Sequence, residues 1–228
     1  MAGKRLDPHA DPCLTLKPMK VDGNRFRRKR FGTFLSVVDR AGVSGRPVRI
    51  LDIGGTASYW KAFEPLWESR AFDITIINLG VEPSDDGIYH LRPGNACSMP
   101  EYADGSFDVV HSNSVIEHVG RWPEMVAMAG EVRRIAPHYY LQTPNFWFPI
   151  EPHFRSALIH WLPEQTRAAM LMGRKRGFRS AASFDEAIRQ VQDINLLTMR
   201  QMAELFPDAE LERERFAGIF TKSLIAKR

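Results

Sequence analysis

The residues best suited to chemistry cluster around a glycine pair that follows an apolar run. Residues 49–60 read RILDIGGTASYW, in which Asp52 precedes Gly54 and Gly55. Because glycine lacks a Cβ, main-chain amides at such a turn can approach a ligand closely, and a helix beginning near Ser58 would direct its positive end to the same point. An anionic or zwitterionic, nucleotide-like ligand fits this arrangement. A glycine pair can also serve the turn alone, so this segment by itself leaves both interpretations open.

Polar residues also follow the next apolar runs. The nicotinamide pattern G-x-G-x-x-G is not met, because the corresponding residues read GGTASY. Asn78 and Leu79 end a second run, where dinucleotide-binding sheets place a hydrogen-bonding side chain against a ribose. Further along the chain, polar or small residues occupy a loop and the end of another run: Asn95, Ala96, Cys97, Ser112, Asn113 and Ser114.

Three further residues are candidates for acid–base chemistry. His118 lies in IEHV, and an imidazole is well poised to accept a proton near neutral pH; the alternative is a histidine at a helix start bonded to nearby backbone. Glu151 and His153 lie between prolines in FPIEPHF, a rigid extended piece suited to acceptor binding or base catalysis. Their alternative role is to attach a lid to the body of the protein. The histidines lack an HExxH or paired-carboxylate spacing, so the sequence predicts no metal site.

Alternating strands and helices must position these residues. The pattern predicts strands at 48–54, 73–80, 88–92, 107–114 and 138–144, and helices at 24–41, 59–68 and 123–135, with a weaker helix before Ile88. Strands that are nearly continuous in apolar residues favour a parallel sheet covered on both faces. The predicted fold is α/β, a doubly wound Rossmann-like sheet, mostly parallel with an antiparallel C-terminal strand.

The remaining segments complete one predicted domain over residues 1–228. Residues 1–23 lack periodicity and are predicted to form a mobile arm, and residues 145–193 to form a helical lid or cap inserted beyond the sheet. Residues 194–206 read as a helix. Two strands then follow, joined by a tight turn at Ala217 and Gly218.

Composition narrows the class of protein. The chain has 228 residues, of which 44% are hydrophobic, and a formal net charge of +4. Cys13 and Cys97 are too few and too far apart for a disulfide framework, which favours a reducing, cytoplasmic compartment. No apolar run approaches the roughly 20 residues of a membrane span. Basic blocks at 25–30 and 174–179 permit an anionic substrate, although solvated helix faces are the simpler interpretation.

In their order along the chain, the segments at 49–144 resemble class I S-adenosylmethionine-dependent methyltransferases of the small-molecule type. The resemblance implies that S-adenosylmethionine is the cofactor and that Asp52, Gly54, Gly55 and Thr56 surround its methionine part. It implies a ribose site at Asn78 and Leu79, an adenine site at Asn95, Ala96 and Cys97, and a backbone lining near the methyl group at Ser112, Asn113 and Ser114. TPNFWFPIEPHF resembles a bacterial subgroup of these enzymes.

The sequence departs from this family at two acceptor positions. Asn78 and Asn95 stand where acidic residues are common, and neutral amides accept weaker hydrogen bonds than carboxylates do. Our leading hypothesis is methyl transfer to a small-molecule or saccharide-like acceptor, at oxygen. One alternative is a nucleic-acid methyltransferase, encouraged by the basic blocks but lacking the Asp/Asn-Pro-Pro-aromatic motif, since the chain reads SNSV there. Another is a cofactor-binding module without turnover.

Overall fold

The computed structural model describes residues 25–172, 177 and 179–228. The predicted arm at 1–23, the first residue of the predicted leading helix and most of the basic block at 174–179 therefore lie outside the described residues.

The described part of the chain is built on an eight-stranded sheet with the order β3-β4-β2-β1-β5-β6-β10-β9. The strands β4, β2, β1, β5 and β6 run parallel, and β10 pairs antiparallel with β6. The predicted fold class is confirmed. The sheet strands are β1 (Val48–Ile53), β2 (Phe72–Asn78), β3 (Ser84–Asp86), β4 (Tyr89–Pro93), β5 (Val109–Asn113), β6 (His138–Pro144), β9 (Glu210–Phe216) and β10 (Phe220–Lys227), and β7 (Ile150–Glu151) pairs with β8 (Ser156–Ala157) separately.

Helices cover the sheet with two apolar clusters. They are α1 (Arg25–Ala41), α2 (Ala57–Phe63), α3 (Trp122–Ile135), α4 (Glu164–Leu171), α5 (Phe184–Gln192) and α6 (Met199–Leu205). One cluster joins α1 and α2 to the sheet through aromatic residues such as Phe34 and Trp60. The other joins α3 and α6 through residues such as Met128 and Met202. Two covered faces explain why the central strands are nearly continuous in apolar residues.

Several predicted elements differ from the observed ones. The helix predicted before Ile88 is wrong: the exposed segment Ser84–Asp86 forms β3, antiparallel to β4, because it has no apolar face to bury. The helix predicted at 59–68 is two pieces, α2 and a 3-10 turn at Glu64–Leu66, since Pro65 lacks the N–H that would continue the α-helix. Of the helix predicted at 194–206, only α6 is helical. The turn at Ala217 and Gly218 is confirmed, with φ of 49° and 73°.

The segment at 145–193 has a small apolar core of its own. Residues of α4 and α5, including Leu171 and Val191, pack with Phe154 in this core. Its role as a lid stays a prediction. None of the described helices is both long and apolar enough to cross a membrane.

An ion-paired carboxylate joins the amino ends of β1 and β5. Asp108 accepts two hydrogen bonds from Arg46, at 2.6 and 2.8 Å, and one from the backbone amide of Arg49 at 2.8 Å. Burial alone would raise the pKa of Asp108, but the hydrogen bonds from both arginines outweigh it and hold that pKa well below its usual range.

We therefore expect Asp108→Asn to lower the free energy of unfolding by about 1–3 kcal/mol near neutral pH. A carboxyl group with a depressed pKa stabilises the fold above its unfolded pKa, so the difference from the wild type should shrink as pH falls below about 4. Urea unfolding of both proteins near neutral pH and below a pH of about 4 measures this difference in the free energy of unfolding. Asp39→Asn, which removes an exposed ion pair with Arg70, is the control and should cost about 0–1 kcal/mol. Equal effects of the two variants would contradict the assignment.

Candidate functional site

The carboxyl ends of the parallel strands meet at one edge of the sheet. Ile53 lies beside Ile77 on one neighbour and Ser112 on the other, and Asn78 lies beside Pro93. The winding of the sheet reverses between β1 and β5, which is where open α/β sheets form a ligand crevice. The polar residues predicted from four separate segments therefore come to the same edge.

Glycine is required at both positions of the turn after β1. Gly54 has a φ of +76°, and a Cβ there would lie 2.5 Å from Cγ2 of Val115. A Cβ at Gly55 would overlap the carboxylate of Asp52. The backbone of this turn can be this close to its neighbours only because both residues lack a side chain. Thr56 then begins α2, its hydroxyl accepting a hydrogen bond from the amide of Tyr59 at 3.2 Å.

The Asp52 side chain lies beneath the turn. It is buried, and its two oxygens accept hydrogen bonds from Nε1 of Trp60 and Nδ1 of His111, each at 2.7 Å. Its direct contact with the cofactor stays a prediction, while this geometry gives Asp52 a role in supporting the turn. Sequence reasoning did not assign His111. The available signal was a histidine inside an apolar strand, in register with Asp52.

Asn78 holds the glycine turn from the neighbouring strand. Its side-chain amide Nδ2 donates a hydrogen bond to the carbonyl of Gly55 at 2.9 Å. A carboxylate could not make this bond, because it has no proton to donate. The departure from an acidic residue at this position therefore has a structural reason. The adjoining Leu79 is 76% exposed.

Asn95, in the loop after β4, accepts a hydrogen bond through its side chain, whereas Asn78 donates one. Oδ1 of Asn95 accepts a hydrogen bond from the amide of Cys97 at 3.0 Å, which closes a tight turn followed by a bridge to Ser98. Ala96 and Cys97 pack against the apolar cluster of α3, and burial raises the pKa of the Cys97 thiol. Within the described part of the chain, the Asn95 side chain thus acts as an acceptor, whereas the Asn78 side chain acts as a donor.

The end of β5 is tied to the leading helix by a buried arginine. Arg30 donates to Oδ1 of Asn113 at 3.1 Å and to Oε1 of Gln142 at 2.7 Å, and it lies 3.2 Å from Glu214. Ser114, with a φ of 60°, donates to the same Gln142 oxygen. The interpretation of block 25–30 as a solvated helix face does not hold at Arg30, because its guanidinium is buried beside the carboxylate of Glu214.

Ser112 and Trp60 are buried, whereas Trp147 is exposed. Ser112 is fully buried, and its hydroxyl has no hydrogen-bond partner among the described residues. Trp60 belongs to the core, whereas Trp147 is 63% exposed. Of these two tryptophans, only Trp147 is accessible to a ligand. The assignment of Ser112, Asn113 and Ser114 to the cofactor stays a prediction.

The three predicted acid–base residues come together, which their sequence positions did not require. Nε2 of His118 lies 3.0 Å from Nε2 of His153, and Nδ1 of His153 lies 2.6 Å from the buried carboxylate of Glu151. Nδ1 of His118 lies 3.1 Å from the carbonyl of Asp193, so His118 is bonded to backbone distant in the chain. Burial would lower the pKa of His153, but the hydrogen bond and charge of Glu151 outweigh it and raise that pKa.

Glu117 belongs to the same cluster and was not predicted. It is fully buried, and Oε2 accepts a hydrogen bond from Thr143 at 2.9 Å. Ligand atoms of Glu117, His118 and His153 all lie within 4.8 Å of one another. Spacing along the sequence did not predict this proximity, because the chain after β6 returns His153 to the end of β5; the absence of a metal site stays a prediction. We call Glu117, His118, Glu151 and His153 the histidine cluster.

Fold and site together define a doubly wound α/β protein with a glycine turn at its topological switch point. Residues 51–137 match the sequence profile of a family described as "Methyltransferase domain". This match covers less than half of the chain, and it agrees with the resemblance to methyltransferases at 49–144. No curated protein matches the chain.

Solved structures of the same fold include several described as methyltransferases. A chain of the complex between the Haloferax volcanii Trm112 methyltransferase activator and a methyltransferase is 13% identical, with a TM-score of 0.50, over 89% of this chain and 90% of that one. Haemonchus contortus phosphoethanolamine N-methyltransferase 2, in complex with S-adenosyl-L-methionine, is 16% identical with a TM-score of 0.47, over 80% and 38%. This chain thus spans about two fifths of the Haemonchus protein. At such identities the likeness extends to the fold alone.

The two asparagines allow a matched test of the site. We expect Asn78→Asp to weaken binding of S-adenosylhomocysteine by about 1–3 kcal/mol, because two acceptors would then face each other at the carbonyl of Gly55. Asn95→Asp keeps its acceptor and should change the affinity little. Isothermal titration calorimetry measures both. Tighter binding by Asn78→Asp would show that the donor role assigned to Asn78 is wrong.

Proposed function

We propose that this protein is an S-adenosylmethionine-dependent methyltransferase that acts on a hydroxyl oxygen of a small, saccharide-like acceptor. The observation that supports the proposal is a contact series in which the Glu151 carboxylate lies 2.6 Å from Nδ1 of His153, and Nε2 of His153 lies 3.0 Å from Nε2 of His118. His118 lies three residues after Val115, whose side chain packs against the glycine turn. The series therefore lies close to the turn at which the cofactor is expected.

The residues around the crevice fit S-adenosylmethionine. The turn at Gly54 and Gly55 has no side chain that could fill the crevice, and Asn78 and Asn95 present amides at adjoining strand ends. When bound, this cofactor supplies a methyl group already activated by a sulfonium sulfur. Positioning and desolvation by the protein can then account for roughly 7–11 kcal/mol of the barrier.

A hydroxyl acceptor, unlike an amine, needs a proton acceptor such as His118 or His153. A neutral amine attacks with a free lone pair, whereas a hydroxyl must lose a proton as its oxygen forms the new bond to carbon. The bound cofactor would supply the methyl group and keep the electron pair of its carbon–sulfur bond, and the imidazole pair would accept the hydroxyl proton. Glu151, bonded to Nδ1 of His153, orients that ring and stabilises its positive charge.

Exposed aromatic rings support a saccharide-like acceptor. The rings of Trp147 and Trp161 lie 6.2 Å apart, and Nε1 of Trp161 donates to the carbonyl of Phe146. Rings held in this way offer apolar faces with a polar edge, which suits an acceptor that has both kinds of surface. We extend the proposal to the segment at 145–193 as the lid over this acceptor, within one domain. The nucleic-acid alternative has less support, because Arg30 of the first basic block is buried.

The test is a screen of sugars, nucleotide sugars and lipid-linked sugars for S-adenosylhomocysteine formation and the mass of one added methyl group. For an acceptor found in this way, His153→Gln should lower kcat by about 10²–10⁴-fold, because it removes the proton acceptor, while binding of S-adenosylhomocysteine is unchanged.

The control is His138→Gln, which removes a half-buried histidine at the opposite end of β6 and should leave kcat unchanged. Methylation confined to amine acceptors, or full activity in His153→Gln, would contradict the proposal.

A further inference from the structure

The histidine cluster contains more acceptors than donors. Nδ1 of His118 faces a carbonyl oxygen and Nδ1 of His153 faces a carboxylate, so each Nδ1 must carry the proton. A ring that carries its one proton at Nδ1 presents a lone pair at Nε2. The two Nε2 nitrogens are 3.0 Å apart, so two acceptors lie next to each other.

A proton shared between the two rings would be poorly aligned. The ring centroids are 4.7 Å apart and the ring planes are inclined at 89°. If the two rings pointed straight at each other, each centroid would lie one ring radius behind its Nε2 atom. The centroids would then be farther apart than 4.7 Å, because the nitrogens alone are separated by 3.0 Å. At least one ring is therefore turned away from the line between the nitrogens, whereas hydrogen bonds prefer angles above about 150°.

Glu117 adds a third unsatisfied acceptor. Its side chain is fully buried, and Oε1 has no hydrogen-bond partner among the described residues. No ion pair to Glu117 is found in the described part of the chain either. The arginines nearby interact electrostatically with other members of the cluster, Arg167 with Glu151 and Arg179 with His153. Buried carboxylates are ordinarily paired with a cation or bound to a metal.

We propose that Glu117, His118 and His153 bind one divalent transition-metal ion through Oε1, Nε2 and Nε2. Two imidazoles and a carboxylate are a ligand set of catalytic zinc sites, in which three protein ligands leave one position open. Imidazole ligands favour zinc-like ions over magnesium. Glu151 and the carbonyl of Asp193 hold the opposite nitrogens, as the outer partners of metal-bound histidines do.

The binding site stands on this geometry alone, whereas the role of the ion rests on the proposed function. At the open position, an acceptor hydroxyl bound to the ion would have a lowered pKa and would lose its proton more readily. With the ion bound, both Nε2 atoms would be ligands and could not accept the hydroxyl proton, so this proton would leave to solvent and the ion would stabilise the negative charge on the oxygen.

The direct test is calorimetric titration of the full chain with ZnCl₂ after removal of metal by a chelator, without cofactor or acceptor. We expect one ion per chain. His153→Gln should lose this binding, Glu117→Gln should weaken it while keeping the contact with Thr143, and Glu151→Gln should weaken it by about 10–100-fold. His138→Gln, outside the cluster, should bind as the wild type does. Circular dichroism establishes that each variant is folded.

If His153→Gln does not fold, Glu117→Gln and the visible spectrum of the Co²⁺-loaded protein decide the question. A cobalt spectrum that changes in Glu117→Gln supports the site. Absence of binding, or equal binding by wild type and Glu117→Gln, overturns it. Zinc binding without methyl transfer to any hydroxyl would uphold the metal site and overturn the proposed function. Methyl transfer to a hydroxyl by a chain that binds no zinc would uphold the proposed function and overturn the metal site.

Discussion

The buried carboxylate of Asp52 is the constraint on which the crevice depends. It occupies the space that a side chain at Gly55 would need, and it connects the turn to Trp60 and His111 in the aromatic core. The turn is therefore supported from below by hydrogen bonds that water does not reach. Asn78 supports it from the side through the carbonyl of Gly55. A cofactor that binds there meets a backbone whose position is already determined, so little ordering is needed on binding.

A second set of buried polar contacts links this crevice to the histidine cluster. Arg30 connects α1 to Asn113 at the end of β5 and to Gln142 on β6. Glu117 follows β5 and is bonded to Thr143, which lies next to Gln142 on β6. Because these contacts join the ends of two adjacent strands, we expect a change at one residue to alter the placement of both the end of β5 and the histidine cluster. Such networks are sensitive to the loss of any single partner.

Periodicity predicted most of the fold, because apolar runs and amphipathic helices reflect burial that acts along the chain. The C-terminal turn and β6 were predicted closely for this reason. β3 was missed, since three exposed residues pair with β4 through backbone alone. Arg30, His111 and Glu117 were missed for a different reason. Their partners are far away in sequence, so their burial depends on strand register and on the return of the chain after β6, neither of which a local pattern contains.

The central claim is that the glycine turn and the histidine cluster form the two ends of one crevice, with methyl transfer between them. A crystal structure of the chain with S-adenosylhomocysteine tests this most directly. The account predicts the ribose beside Asn78 and the sulfur directed from the turn toward His118 and His153. A nucleoside bound elsewhere, or a sulfur facing away from the two imidazoles, would contradict it.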